Sequence, residues 1–332
     1  MNTTKRICSL DYLKAIGIIL MLLGHTSFPL TFYIYTFHMG LFFFISGFLC
    51  YNKLDVPFTT YLKKRAKSCL IPYVAFWAIG LVISEIVSLI MNGTNITFDF
   101  NTIKALLLGG HYLSDYTDNF AIWYLQTNFI VAIVFYLIIK LCKGRIAKII
   151  AFAVILIGTV PFQSLFENRP IFHINVLPSA ITFMFLGYFI AYIKDYVDKI
   201  PFFVGFLFII PGMITWPDHV ANIATIGSYW YYLFAFLTIV GLYIIFKNTP
   251  GNRFITFMST STLYILGLHF PLLPVSNAIA DYISELTGIT DNYILSPIQT
   301  IFLATVCCLM GLIYTTIKKA IKAKLQASSQ MN

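Results

Sequence analysis

The sequence predicts an all-α integral membrane protein: a polytopic bundle of about ten transmembrane helices with both termini in the cytoplasm. Three observations lead there. Of 332 residues, 59% are hydrophobic and only 11% charged, where a soluble domain carries about 25% charged residues. The 32 Phe and 21 Tyr residues hold more apolar surface than one soluble core can hide, whereas lipid lets apolar side chains face outward. The 22 Lys and Arg residues fall in short clusters between apolar runs, as they do in cytoplasmic loops. That clustering also argues against a nucleic-acid partner, the other reading of a formal net charge of +9.

A spanning helix takes about 20 mostly apolar residues. Ten candidate runs lie near 10–31, 36–52, 70–91, 120–139, 149–166, 178–193, 201–217, 223–246, 254–274 and 297–317, with Pro211 and Pro271 inside two of them. The first run follows Lys5 and Arg6, as the apolar part of a signal peptide would. Asp11 and Lys14 break its start, however, and no small-x-small cleavage pattern follows. With the N-terminus inside, 19 of the Lys and Arg residues fall on the cytoplasmic side, Lys104 and Arg169 fall outside, and Lys14 falls within the first span. A wrong helix count would mix the two sets, so the asymmetry supports ten spans. The same topology puts Cys8, Cys50, Cys69 and Cys142 at the cytoplasmic side and Cys307 and Cys308 inside a helix, none at zinc-site spacing. Neither disulfides nor a metal site are therefore expected. No sequence repeat is visible, and residues 1–332 read as a single transmembrane domain ending in a basic tail at 318–332.

The first span, DYLKAIGIILMLLGH, places Lys14 and His25 11 residues apart. At about 100° and 1.5 Å per residue they share a face and lie about 16 Å apart along the axis. Asp11 lies near that face, one turn before Lys14. Such a stripe is costly in lipid and should face the bundle interior; the plainer readings are snorkelling for Asp11 and Lys14 and a packing role for His25. His38 is expected at the outer end of the second span, FHMGLFFFISGFL, a short loop from His25, so that two imidazoles flank one mouth. Ser46 and Gly47 in that span suit close helix packing. The basic segment TYLKKRAKSCLIPY reads either as a topology signal or as a phosphate site. Before the fourth span, HYLSDYTDNFAIWYL carries His111, Tyr112, Asp115, Tyr116, Asp118 and Trp123, a polar-aromatic cluster that could line a pocket or form an interfacial belt. In the ninth span, TLYILGLHFP places His269 toward the outer end, in a packing or functional role.

In this order the motifs resemble the acyltransferase 3 family of integral membrane acyltransferases, and most closely its fucose 4-O-acetylase-like branch. The resemblance runs from Asp11 to about Pro271. It comprises a basic residue followed 11 positions on by His (Lys14, His25), FFFISGF, Lys53, the basic segment leading into LIPY, IWYL, and a late helix bearing Thr262, Leu263, Ile265 and His269. Two departures stand out. Many members carry Arg where this chain has Lys14, although Lys occurs in the closer branch. The family's Arg-x-x-Arg pattern is reduced here to Arg65 followed by Ser68, with Lys64 or Lys67 as substitutes.

The resemblance implies transfer of an acyl group, usually acetyl, from cytoplasmic acetyl-CoA to a hydroxyl of an envelope glycan or lipid-linked sugar, in a bacterial inner membrane. It implies His25 as the leading catalytic residue, with Lys14, Asp11 and His38 beside it. Arg65, Lys64, Lys67 and Lys53 would meet the acetyl-CoA, and Trp123, Asp118 and His269 the acceptor. The chemistry agrees: a hydroxyl needs a base close by, and imidazole, with an ordinary pKa of about 6.5, is available in neutral form. His25 could take the hydroxyl's proton or carry the acyl group itself. No Gly-x-Ser-x-Gly elbow offers a serine nucleophile. The competing classes are a transporter or flippase of a lipid-linked sugar and a non-catalytic scaffold, which leaves the His25 stripe unexplained.

Overall fold

The computed structural model describes residues 6–93, 104, 106–108, 120–166, 170–215, 222–224 and 228–330. Among these residues every regular element is helical. The α-helices are α1 (Cys8–His25), α2 (Thr31–Cys50), α3 (Phe58–Asn92), α4 (Trp123–Leu141), α5 (Arg145–Gln163), α6 (Leu177–Tyr192), α7 (Lys194–Val197), α8 (Val204–Thr215), α9 (Trp230–Phe246), α10 (Arg253–Thr287) and α11 (Asn292–Gln330). Short 3₁₀ turns precede α4 (Phe120–Ile122) and α6 (Ile171–Val176).

Among the described residues eight helical segments are long and apolar enough to cross a membrane, and α8 and α9 are shorter apolar helices. These two stand where the expected seventh and eighth spans lie. At 12 residues, α8 covers only about 18 Å, less than the roughly 30 Å hydrocarbon core. The outward faces carry many large apolar side chains. Along α5, Ile146, Ile149, Ile150, Val154 and Ile157 are between 54% and 75% exposed. A water-facing helix would carry charge there, whereas lipid accepts such a face.

Helix α1 joins two cores. Its Leu10 and Leu13 pack with α2, α4, α6 and α9 around Phe43, Phe44, Phe135, Phe183 and Tyr243. Its Ala15, Ile18, Met21 and Leu22 pack with α3, α10 and α11 around Phe76, Ile265 and Leu303. The stripe of the first span therefore faces the bundle interior, because both sides of α1 are covered by other helices. At its N-terminal end α1 is tied to α10. Asp11 is buried, it accepts a hydrogen bond of 2.7 Å from the Ser259 hydroxyl, and Arg6 grips its carboxylate in a two-pronged ion pair.

Several boundaries differ from those the sequence suggests, for local reasons. Helix α1 ends at His25 rather than at 31. Ser27 takes a positive φ of 59°, and Pro29 follows, a combination that does not continue a helix. Helix α2 in turn starts at Thr31, which moves His38 into its second turn. The basic segment is not a loop: it forms the first turns of α3, which runs unbroken through Pro72.

Candidate active site

A cavity of about 300 Å³ opens at the end of the bundle where α1 ends and α2 and α4 begin. Its wall takes Met21 and His25 from α1, Tyr35, His38 and Met39 from α2, Ala121 and Trp123 from the entry to α4, and His173 from the turn before α6. Asn222, Ile223 and Ala224 and then Leu266 and Phe270 of α10 complete it. Six separate stretches of sequence thus converge on one space, within the size range of small-molecule sites.

His25 is the last residue of α1, and the structure fixes that turn on two sides. The Tyr35 hydroxyl donates to the Gly24 carbonyl at 2.6 Å, with its ring packed where a Cβ on Gly24 would lie 2.6 Å from it. The buried Ser296 hydroxyl at the start of α11 donates to the Thr26 carbonyl. The His25 ring is half-buried, lines the cavity and carries no hydrogen bond to another described residue. His38 reaches the same space from α2. Its Nδ1 lies 3.0 Å from the Ile34 carbonyl, so Nδ1 carries the proton and Nε2 is left as an acceptor in the neutral ring.

His173 and Tyr35 are the cavity residues that sequence reasoning missed. His173 stacks on Trp123 with ring centroids 4.7 Å apart. It gets there through two consecutive left-handed residues, Phe172 (φ 59°) and His173 (φ 51°). Such a pair is strained for non-glycine residues and persists only where the surroundings impose it. Here the Thr127 hydroxyl donates to the Phe172 carbonyl at 3.3 Å, and the Asn175 amide reaches the Ala224 carbonyl at 3.2 Å. Gln163 of α5 secures the same wall by donating to the Ile223 carbonyl at 2.8 Å. Pro170, two residues before the aromatic pair Phe172 and His173, is a weak trace of this turn in the sequence.

The remaining sequence candidates fall elsewhere. Lys14 is half-buried on α1, 11 residues below His25, about 16 Å along the axis. It makes no ion pair among the described residues, and Asp11, Arg6 and Lys53 are the charges that act on it. Asp11 is engaged with Arg6 and Ser259. Both groups are thus too far from the cavity to exchange a proton with His25 directly. His269 lies beside His25, ring centroids 5.2 Å apart, but does not line the cavity. Asp118, with His111, Tyr112, Asp115 and Tyr116, lies outside the described residues.

A second polar site forms at the opposite end of the bundle. On α3, Tyr61, Arg65 and Cys69 recur every four residues and face inward, while Lys63, Lys64 and Lys67 are exposed. The Arg65 Nε donates to the Tyr61 hydroxyl at 3.1 Å and an Nη donates to the Cys50 thiol, also at 3.1 Å. Tyr61 in turn stacks on Tyr136 at 4.6 Å. Lys53 is exposed in the turn between α2 and α3. Between the two ends run polar groups: the buried Cys69 accepts from the buried Asn128 amide at 3.9 Å, and the half-buried Tyr124 and Ser46 lie together. Among the described residues no group of three or more His, Cys, Asp or Glu side chains is placed to hold a metal ion.

Residues 8–316 match the acyltransferase 3 family over a region described as an acyltransferase domain. The chain belongs to that family. The match takes in every helix named above and ends within α11. No curated protein and no solved structure gives a further match. The membership makes this a membrane acyltransferase.

Proposed function

We propose that the protein transfers an acetyl group from cytoplasmic acetyl-CoA to a hydroxyl of a cell-envelope carbohydrate, such as an exopolysaccharide or O-antigen, in a bacterial inner membrane. The observation that carries this reading is the pair of imidazoles, His25 and His38, facing one cavity in an acyltransferase. Imidazole nitrogens that accept hydrogen bonds suit a ligand that donates them, as a polyhydroxylated sugar does. Trp123 and Tyr35 add aromatic wall to the same space, and such walls suit the apolar faces of a sugar ring.

His25 is the base in this account. It takes the acceptor hydroxyl's proton as the oxygen attacks the thioester carbonyl, and returns a proton to the departing CoA sulfur. Arg65 is the cytoplasmic contact for CoA phosphates. A guanidinium has five donors, and Tyr61 and Cys50 occupy two of them. The buried Cys69 and Asn128 and the half-buried Tyr124 and Ser46 give the interior between the two ends a polar lining. The transporter reading has no feature that favours it over this one.

The test is to incubate the purified protein in proteoliposomes with acetyl-labelled CoA and a detergent extract of envelope glycans. Label passing into alkali-labile ester supports the proposal. A protein that binds the glycans but leaves the thioester intact contradicts it.

A further inference from the structure

We propose that His269 is a positioning residue that accepts a hydrogen bond from one nitrogen of His25 when that ring turns toward it, leaving the other unprotonated toward the cavity. The proposal rests on the reading of His25 as the base.

Three observations carry it. First, the protonation of His269 is fixed by its own helix. Its Nδ1 lies 2.8 Å from the Ile265 carbonyl and 3.2 Å from the Leu266 carbonyl. Carbonyls only accept, so Nδ1 holds the proton and Nε2 of the neutral ring is an acceptor. Second, that acceptor is buried and has no hydrogen-bond partner among the described residues, on a side chain that is 0% exposed. A buried acceptor left unmade is costly. Third, a ligand in the cavity does not meet it, since the cavity wall excludes His269. Two rings flank it: Phe270 stands edge-on at 6.1 Å, and His25 lies at 5.2 Å. Only His25 has an N–H to offer.

The arrangement follows the general pattern in which a third group orients a catalytic base. The Ile265 carbonyl orients His269, and His269 orients His25. In the reaction the acceptor's O–H proton moves to the free nitrogen of His25 while the oxygen bonds to the acyl carbon. The C–S bond breaks, and the departing thiolate takes that proton from His25. The His269 Nδ1 proton stays on its carbonyls throughout. Phe270 is edge-on to both imidazoles, at 5.9 Å from His25 and 6.1 Å from His269, and holds the pair in register.

The experiment is nitrogen-15 NMR of the full-length, histidine-labelled protein in lipid nanodiscs. The wild-type spectrum should show His269 as the Nδ1–H tautomer and a hydrogen-bonded His25 N–H. That N–H signal should vanish in His269→Ala and return in His269→Gln, whose carbonyl oxygen can accept. His269 found with its proton on Nε2, or a His25 N–H unchanged in His269→Ala, overturns the proposal. CoA release from acetyl-CoA gives a second readout. His269→Ala should lower turnover about 10- to 100-fold, the scale of one lost hydrogen bond, with KM for acetyl-CoA little changed. Added to His25→Ala, it should cause no further loss. Losses that multiply in the double variant overturn the positioning role. Full turnover by His25→Ala would instead remove the base reading, while the wild-type spectrum still reports the contact by itself.

Discussion

Gly47 of α2 and Gly187 of α6 bring two backbones together so closely that neither position has room for a Cβ. One added to Gly47 would lie 1.9 Å from the Met184 carbonyl oxygen, and one added to Gly187 would lie 1.9 Å from that of Phe44. The obstructing atoms are backbone, so no side-chain rotation relieves the clash. This crossing sets the distance between α2, which carries His38, and α6, which the strained His173 turn precedes. Small residues are the usual means of such close approach between membrane helices.

Gly47→Ala should therefore separate α2 from α6 and destabilise the protein by about 1–3 kcal/mol, the scale of overpacking in a tight core. Thermal unfolding in detergent measures it. A melting temperature equal to wild type would show that the two helices can part without cost.

Replacement of Arg65 by Ala should weaken acetyl-CoA binding about tenfold or more, as expected for a lost charge-assisted hydrogen bond to phosphate. Lys64→Ala and Lys67→Ala should change it about twofold or less, because both side chains are exposed and exposed charges are weakened by water and salt. Equilibrium binding to all three variants checks this. Equal affinity in Arg65→Ala would leave the basic segment only its role in setting topology.

The Arg6–Asp11–Ser259 clamp predicts a separation of stability from chemistry. Ser259→Ala removes a 2.7 Å hydrogen bond to a buried carboxylate and should cost about 1.5–3 kcal/mol of stability. Its transfer rate at a permissive temperature should stay within about threefold of wild type, since Asp11 lies roughly 20 Å along the axis from His25. A stable variant that has lost transfer would place the clamp in the reaction instead.

Much of this was legible before any coordinates. The length of the apolar runs identified eight of the ten expected spans, because lipid demands about 20 apolar residues per crossing, while α8 and α9 fall short of that length among the described residues. Helical periodicity put Lys14 and His25 on one inward face. The short turn between α1 and α2 brought His25 and His38 together, and of the two readings open for Trp123, a pocket wall or an interfacial belt, the cavity shows the first position. Other features depend on tertiary contacts that spacing does not encode. Which face of α3 turns inward is decided by Cys50 and Tyr61, so Arg65 parts company with Lys64 and Lys67. His173 reaches the cavity by a strained turn imposed by Thr127 and its neighbours. The place of His269 behind His25, off the cavity wall, follows from how α10 packs on α1.

The central claim is that His25 performs the proton transfer of the acyl-transfer step. Its most direct test is the initial rate of acetyl transfer from labelled acetyl-CoA by His25→Ala, compared with an equal amount of folded wild-type protein in the same proteoliposomes. Removing an imidazole eases lipid burial, so the variant should insert and fold. Its rate should fall by about 10²- to 10⁴-fold, the usual contribution of a general base. A folded His25→Ala protein that transfers acetyl at close to the wild-type rate would contradict the account.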